Sequence, residues 1–270
     1  LRLTPFQLLL GLWVIIEREI AKFARQRERL FSSMVRPLLW LIVFASGLHD
    51  LLGVSIIPPY RTYTPYQEYI LPGLIGMVVL FQSMQSALSL VYDREVGVMR
   101  VMLVTPLPRP FLLFAKILAA TVLALLQAAI FLAIAAAFGI FLPPKTLIFV
   151  VPAVILAGLM LGSIGLVVSV YTKQIENFAG MMNFVIFPMF FLSSALYPLW
   201  KLREAGVQVI FSLANWNPFS HAVELIRFAA YGQFNGTSFL VVAGTGIVAF
   251  SLAVRGYNPL VGALGQVKRD

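Results

Sequence analysis

An all-α, polytopic membrane fold of six spans is what this sequence predicts, and three observations carry the prediction. Of 270 residues, 60% are hydrophobic and 11% charged, so a water-soluble domain of this size would lack the polar surface to cover itself. Uncharged stretches reach or approach the roughly 20 helical residues that cross a hydrocarbon core about 30 Å thick. Lysine and arginine crowd onto alternate connections, as the orientation of spanning helices requires. The net charge of +9 is therefore that of span flanks, and nucleic acid is not an expected partner. With no cysteine and only His49 and His221, disulfides and thiolate metal sites are excluded, and no metal centre is expected.

Residues 1–30 read as an amphipathic helix. Its apolar first half passes into "EREIAKFARQRER", with Ile16, Ile20 and Phe23 at helical spacing among Arg18, Lys22, Arg25 and Arg29. Such a helix lies in the lipid headgroup region, the alternative being an ordinary solvated helix. Residues 6–16 imitate a signal-peptide core, but no small-residue cleavage site follows. Residues 31–257 form the six-span domain. The first span has only residues 37–48 free of charge, a rise of about 18 Å, so it must borrow residues 31–36, with Arg36 snorkelling to the interface. After a proline-rich loop at 51–68 come the second span at 69–92 and the third at 111–142, with Lys116 near its start. Pro143, Pro144 and Lys145 turn the chain into the fourth span, 147–171. The fifth, 178–199, contains Pro188 and should bend there. A polar, amphipathic stretch at 200–236 precedes the sixth span, 237–254, and residues 258–270 are a basic tail.

Orientation follows from counting cations. Arg61, Lys145, Lys201, Arg203 and Arg227 fall on one side, which leaves fifteen of the 20 on the other. The positive-inside bias then puts both termini and the segment at 92–116 in the cytoplasm.

Chemistry of its own is hard to find in this chain. No Gly-Lys pair occurs, so a phosphate-binding loop is missing. Neither H-E-x-x-H nor G-x-S-x-G is present, and no span carries paired carboxylates. If the protein moves something uphill, energy must enter through a partner, and the cytoplasmic segment is where one can grip. There Asp93, Arg94 and Glu95 end a span, "GVMRVMLV" can form a short helix with Met99, Met102 and Leu103 on one side, and Pro106, Pro108 and Pro110 stop it. Two readings stand: a stiff helix that transmits a push, or a solvated turn whose arginines only set topology.

Three further patterns each have two readings. Gln82, Gln85, Ser86 and Ser89 form a polar stripe on the second span, which either lines a translocation path between two copies or bonds neighbouring helices. Gly158, Gly162, Gly165 and Ser169 make a small-residue face on the fourth span, best explained by close packing. Asn217 as N-cap, Pro218 at the first position and Gly232 beyond the end delimit a helix in which Glu224 and Arg227 can pair. His221 on its first turn is a polar contact or a pH switch.

The stretch "YDREVGVMRVMLVTPLPRPFLLFAK" closely resembles the segment between the second and third spans of ABC-2 type transporter permeases. "NFVIFPMFFLSSALYPL" at 183–199 resembles that family's fifth span, and "NPFSHAVELIR" at 217–227 its Asn-Pro signature before the last span. Ser194 stands where many members have glycine. The resemblance implies a permease subunit of a bacterial inner membrane, without a catalytic site or cofactor of its own. It would pair with a second copy of itself and with two ATP-binding cassette ATPase subunits that hold ATP and Mg, beside membrane lipid and a periplasmic partner left open. A coupling helix at about 93–108, Gly97 included, would dock on the ATPase, with Asp93, Arg94, Glu95 and Arg100 facing water and partner, and Val96, Met99, Met102 and Leu103 filling the groove. The outer helices at 200–236, with Asn217, Pro218, His221, Glu224 and Arg227, would dip back into the outer leaflet as a gate. A finer similarity, over "LGVSIIPPYRTY", "MNFVIFPMFFLSSALYPLW" and "NPFSHAVELIRFAAYG", is to the ABC-2 permeases associated with quinoprotein alcohol oxidation in Gram-negative bacteria. The competing classes are a membrane-embedded enzyme acting on a lipid or glycan carrier, and a non-transporting scaffold.

Overall fold

A computed structural model describes residues 4–25, 34–43, 59, 65–95, 107–172 and 175–257, apart from the side chains of Arg94 and Ala179. Every regular element among them is helical: α1 (Pro5–Arg25), α2 (Met34–Val43), α3 (Tyr66–Glu95), α4 (Arg109–Ala137), α5 (Leu147–Tyr171), α6 (Ile175–Phe191), α7 (Leu199–Glu204), α8 (Gln208–Trp216), α9 (Pro218–Ala230) and α10 (Gly236–Gly256), with a 3-10 turn at Pro144–Thr146. Four stretches, Tyr66–Asp93, Arg109–Ala137, Pro144–Tyr171 and Gly236–Gly256, are long and apolar enough to cross a membrane.

The six-span expectation is thus met at four positions among the described residues. For the first span the described part is α2, whose 10 residues rise only about 15 Å. The fifth differs more. It begins three residues before the predicted start and stops at Phe191, three residues past Pro188, instead of bending and continuing to 199. Leu192 N still bonds the Pro188 carbonyl at 2.9 Å. Beyond it Ser193 Oγ donates to Phe190 O at 2.6 Å, a local bond that competes with further helix, and the chain turns through 192–197.

At the centre of the bundle stands α3, buried on every side from residue 69 to residue 84, which is why its sequence is apolar all round rather than amphipathic. It packs against α4, α5, α6 and α9, while α5 joins α3 to α4, α9 and α10. Close approach is secured by glycine. A Cβ on Gly158 would lie 2.7 Å from Thr121 Cγ2, and one on Gly162 would lie 2.6 Å from Ile117 Cγ2, so the small-residue face of α5 is the seat of α4. Sequence reading missed Gly73, where a Cβ would strike the Ala195 carbonyl. Pro72 beside it has no N–H for the turn, and the 192–197 loop rests there.

Helix α4 ends in a Schellman motif: Gly139 has φ +80, and Ile140 N and Gly139 N reach the carbonyls of Ala135 and Ala136 at 3.1 and 3.0 Å. The third span accordingly stops five residues before its predicted end. The fourth matches its predicted bounds.

Candidate functional site

Polar side chains gather at the two ends of the bundle. At the end where α3 finishes and α4 begins, Asp93 is only 2% exposed. Lys116 of α4 donates to its Oδ2, while Arg18 Nη2 and Lys22 Nζ of α1 stand at 3.9 and 4.0 Å. Lys22 also donates to Ser89 Oγ at 3.0 Å. One carboxylate on the central helix therefore holds three cations from two others. The i, i+4 spacing of Arg18 and Lys22 on α1 placed them on one face but gave no hint of the partner.

Around this clamp the described residues that flank 96–106 have contacts of their own. Glu95 Oε1 accepts from Ile175 N at 3.0 Å, a carboxylate on the amino end of α6 where unpaired amides and the helix dipole favour it. On the other side Leu107 packs on Gly11 of α1, with Leu107 Cδ1 3.1 Å from where a Cβ would stand. The expected coupling residues Val96, Gly97, Met99, Arg100, Met102 and Leu103 lie outside the described residues, as does the Arg94 side chain. Asp93, expected to face water and a partner, instead points into the protein, because Lys116 lies across from it.

The polar stripe on α3 is turned towards its own bundle. Gln82, 2% exposed, accepts from Gln127 Nε2 of α4 at 3.1 Å and donates to Ser86 Oγ at 3.4 Å. Ser89 is taken by Lys22, and Gln85 is half-buried. Gln82 and Ser89 thus bond the neighbouring helices α4 and α1. Gln127 escaped the sequence reading, since a lone glutamine in an apolar span shows no period.

At the opposite end the loop at 192–197 is buried, and its backbone needs partners. Tyr66 donates to Leu196 O. Tyr69 Oη and Arg227 Nη2 donate to Ser194 O at 3.1 and 2.7 Å. Arg227, 2% exposed, also pairs with Glu224 and lies 4.1 Å over the Tyr69 ring. The predicted Glu224–Arg227 pair is present, and a third and fourth partner complete it.

Asn217 has two tasks. Its Oδ1 caps α9 by accepting from Phe219 N at 2.9 Å, and its Nδ2 donates to the carbonyls of Met189 and Leu192 at 2.7 and 2.6 Å. One amide thereby closes the start of α9 and the end of α6. Pro218 opens α9 as predicted. His221 Nε2 donates to Asn215 O at 3.0 Å, and Nδ1 lies 3.4 Å from Ser238 Oγ of α10, so it is a polar contact between helices. Phe219, Ala222, Val223 and Ile226 are fully buried, so α9 lays this face against the bundle. Tyr231, just past its end, has its phenol pushed up to about 12, first by burial and then by the nearby Glu68 carboxylate.

Comparison with known proteins bears on this arrangement. The family described as ABC-2 type transporter matches residues 11–231. A protein of Cyanophora paradoxa named as a transport permease, ycf38, is 31% identical over 233 residues, 83% of this chain and 76% of its own. Its namesake from Porphyra purpurea is 29% identical over 227 residues, 83% and 75% of the two chains. Nodulation protein J of Rhizobium leguminosarum bv. trifolii is 25% identical over 221 residues, 80% and 79% of the two chains.

Proposed function

The chain belongs to the ABC-2 type transporter family, and from that membership we propose that it is the membrane-spanning permease subunit of an ATP-driven transporter. It works as a pair of identical subunits with two separate ATP-binding subunits, in a bacterial inner membrane with both termini cytoplasmic. Fifteen of 20 cations on the proposed cytoplasmic side support the orientation. Relatives named as transport permeases support the class. The chain has no Gly-Lys pair of its own, so ATP and Mg would be held by the partner.

The observation that carries the coupling role is how the segment at 96–106 is mounted. Asp93 binds α3 to α1 and α4 just before it, Glu95 binds its start to α6, and Leu107 binds its end to α1. A push on that segment is delivered to four helices together, since packed elements shift as units rather than deform. ATP binding closes the ATPase pair, displaces the segments and opens the interface between the two permease copies. The bonds from Asn217, Tyr69 and Arg227 to the end of α6 and its loop make α6, that loop and α9 one outer gate.

Co-purification tests the reading. A nucleotide-binding subunit in equal copies, with ATP hydrolysis that needs the permease, is expected. Glu95→Lys and Arg94→Glu should leave the permease folded while cutting that hydrolysis. If both variants retain the ATPase and its permease-dependent turnover at the wild-type level, the coupling role is wrong. Lipid turnover by the isolated chain would instead indicate an enzyme, and neither activity a scaffold.

A further inference from the structure

Between α4, α5 and α10 runs a slot of about 270 Å³, lined by Phe114, Leu159, Ala243, Gly246, Ile247 and Phe250 and open to the outside of the bundle. We propose that this slot binds one acyl chain of an anionic phospholipid, in the leaflet on the Asp93 side, with the lipid phosphate at Arg109 and Arg255.

Shape selects the guest. The lining of α10 from Val242 to Ser251 rises about 13 Å, so the slot's cross-section is on the order of a few tens of Å². That admits one extended alkyl chain but not a helix of about 10–12 Å diameter. An apolar cavity of about 150 Å³ already takes a benzene-sized guest. Chemistry agrees, because the two hydroxyls in the wall are already used: Ser163 Oγ donates to Leu159 O at 2.7 Å and Ser251 Oγ to Ile247 O at 2.8 Å. Nothing in the lining asks for a polar partner. The slot faces hydrocarbon, since Ile247 and Val248 of α10 are 68% and 60% exposed on a helix long and apolar enough to span.

Charge selects the headgroup. Phe114 and Phe250, both in the lining, meet edge to face with centroids 6.3 Å apart. Arg109 lies five residues before the first and Arg255 five after the second, so both stand about 7.5 Å further along the helix axes than the ring pair, at one depth. Both are exposed, and no acidic residue occurs in the first turn of α4 or anywhere in α10. Two exposed cations at that depth, with no acidic neighbour on their own helix ends, suit a phosphate. A second slot, between α5, α9 and α10, shares Leu156 with the first.

Native mass spectrometry of the detergent-purified protein, with added phosphatidylglycerol or phosphatidylcholine, tests this. One retained phosphatidylglycerol per chain is expected, over phosphatidylcholine. The Ala243→Phe variant, which fills the slot, should lose retention of both. In the Arg109→Gln/Arg255→Gln double variant the preference for phosphatidylglycerol should drop by roughly thirty-fold, the factor two near-surface cations supply towards an anionic lipid, while the slot still takes a chain. Size-exclusion profiles and melting curves certify that each variant is folded. Equal lipid retention by folded wild-type and Ala243→Phe proteins overturns the proposal. So does conversion of a dimer to monomers by Ala243→Phe, which would make the slot an interface between copies.

Discussion

Asp93→Asn probes the clamp at the base of the bundle, and the structure orders the costs. The side chains of Asp93 and Lys116 are 3% and 11% exposed, so their attraction is little screened by water. Removing the carboxylate charge leaves the Lys116 ammonium buried beside two more cations, and breaking a buried pair from one side costs about 3–5 kcal/mol. Arg18 and Lys22 are 40% and 30% exposed at 3.9 and 4.0 Å, where a solvent-screened contact contributes about 0.2–1 kcal/mol. Asp93→Asn should therefore destabilise at least three times as much as Arg18→Gln. The Asp93→Asn/Lys116→Gln double variant removes both charges and keeps two amides able to pair, so it should recover to within about 1 kcal/mol of wild type. Reversible unfolding in mixed micelles, followed by fluorescence, measures all four proteins. An Asp93→Asn protein within about 1 kcal/mol of wild type, or a double variant no more stable than the single one, would refute the reasoning.

The other perturbations separate packing from gating. Asn217→Asp keeps the cap on α9 but loses both donated bonds to the end of α6, so thermal unfolding should show a loss of about 2–3 kcal/mol, against a smaller one for Ser212→Ala on exposed α8. Gly73→Ala puts a methyl on the Ala195 carbonyl and should cost about 1–3 kcal/mol; Gly180→Ala and Gly244→Ala, with nothing within 4 Å, should stabilise by about 0.5–1 kcal/mol. Gln127→Leu strands Gln82 and should cost about 0.6–2 kcal/mol, with most of that recovered in the Gln82→Leu/Gln127→Leu double; a double variant of normal stability but lost transport would return the stripe to the translocation path. For Tyr231, whose folded pKa is raised to about 12, the unfolded chain ionises first above about pH 10, so it holds fewer protons than the fold and stability falls as pH climbs from about 10 to 12. Tyr231→Phe should flatten that alkaline decline in a pH series of melting curves.

Local chemistry was legible in the sequence by itself. The bounds of α5, the Asn217–Pro218 start and Gly232 end of α9, the glycine face that seats α4, and the Glu224–Arg227 pair all depend on residues within a turn or two of one another. The membrane class and the three stretches resembling ABC-2 permeases were equally open to reading. The tertiary structure alone decided which polar groups meet. Ser194 takes its partners from Tyr69 and Arg227, 125 and 33 residues away, and those bonds let α6 stop at Phe191 where hydropathy alone would carry it on. Gln127 finds Gln82 across 45 residues, and Asp93 turns inward because Lys116 and the face of α1 that bears Arg18 and Lys22 close over it. In an apolar interior each such group must find a partner at whatever sequence distance the packing brings one, and no periodicity within a single helix records that distance.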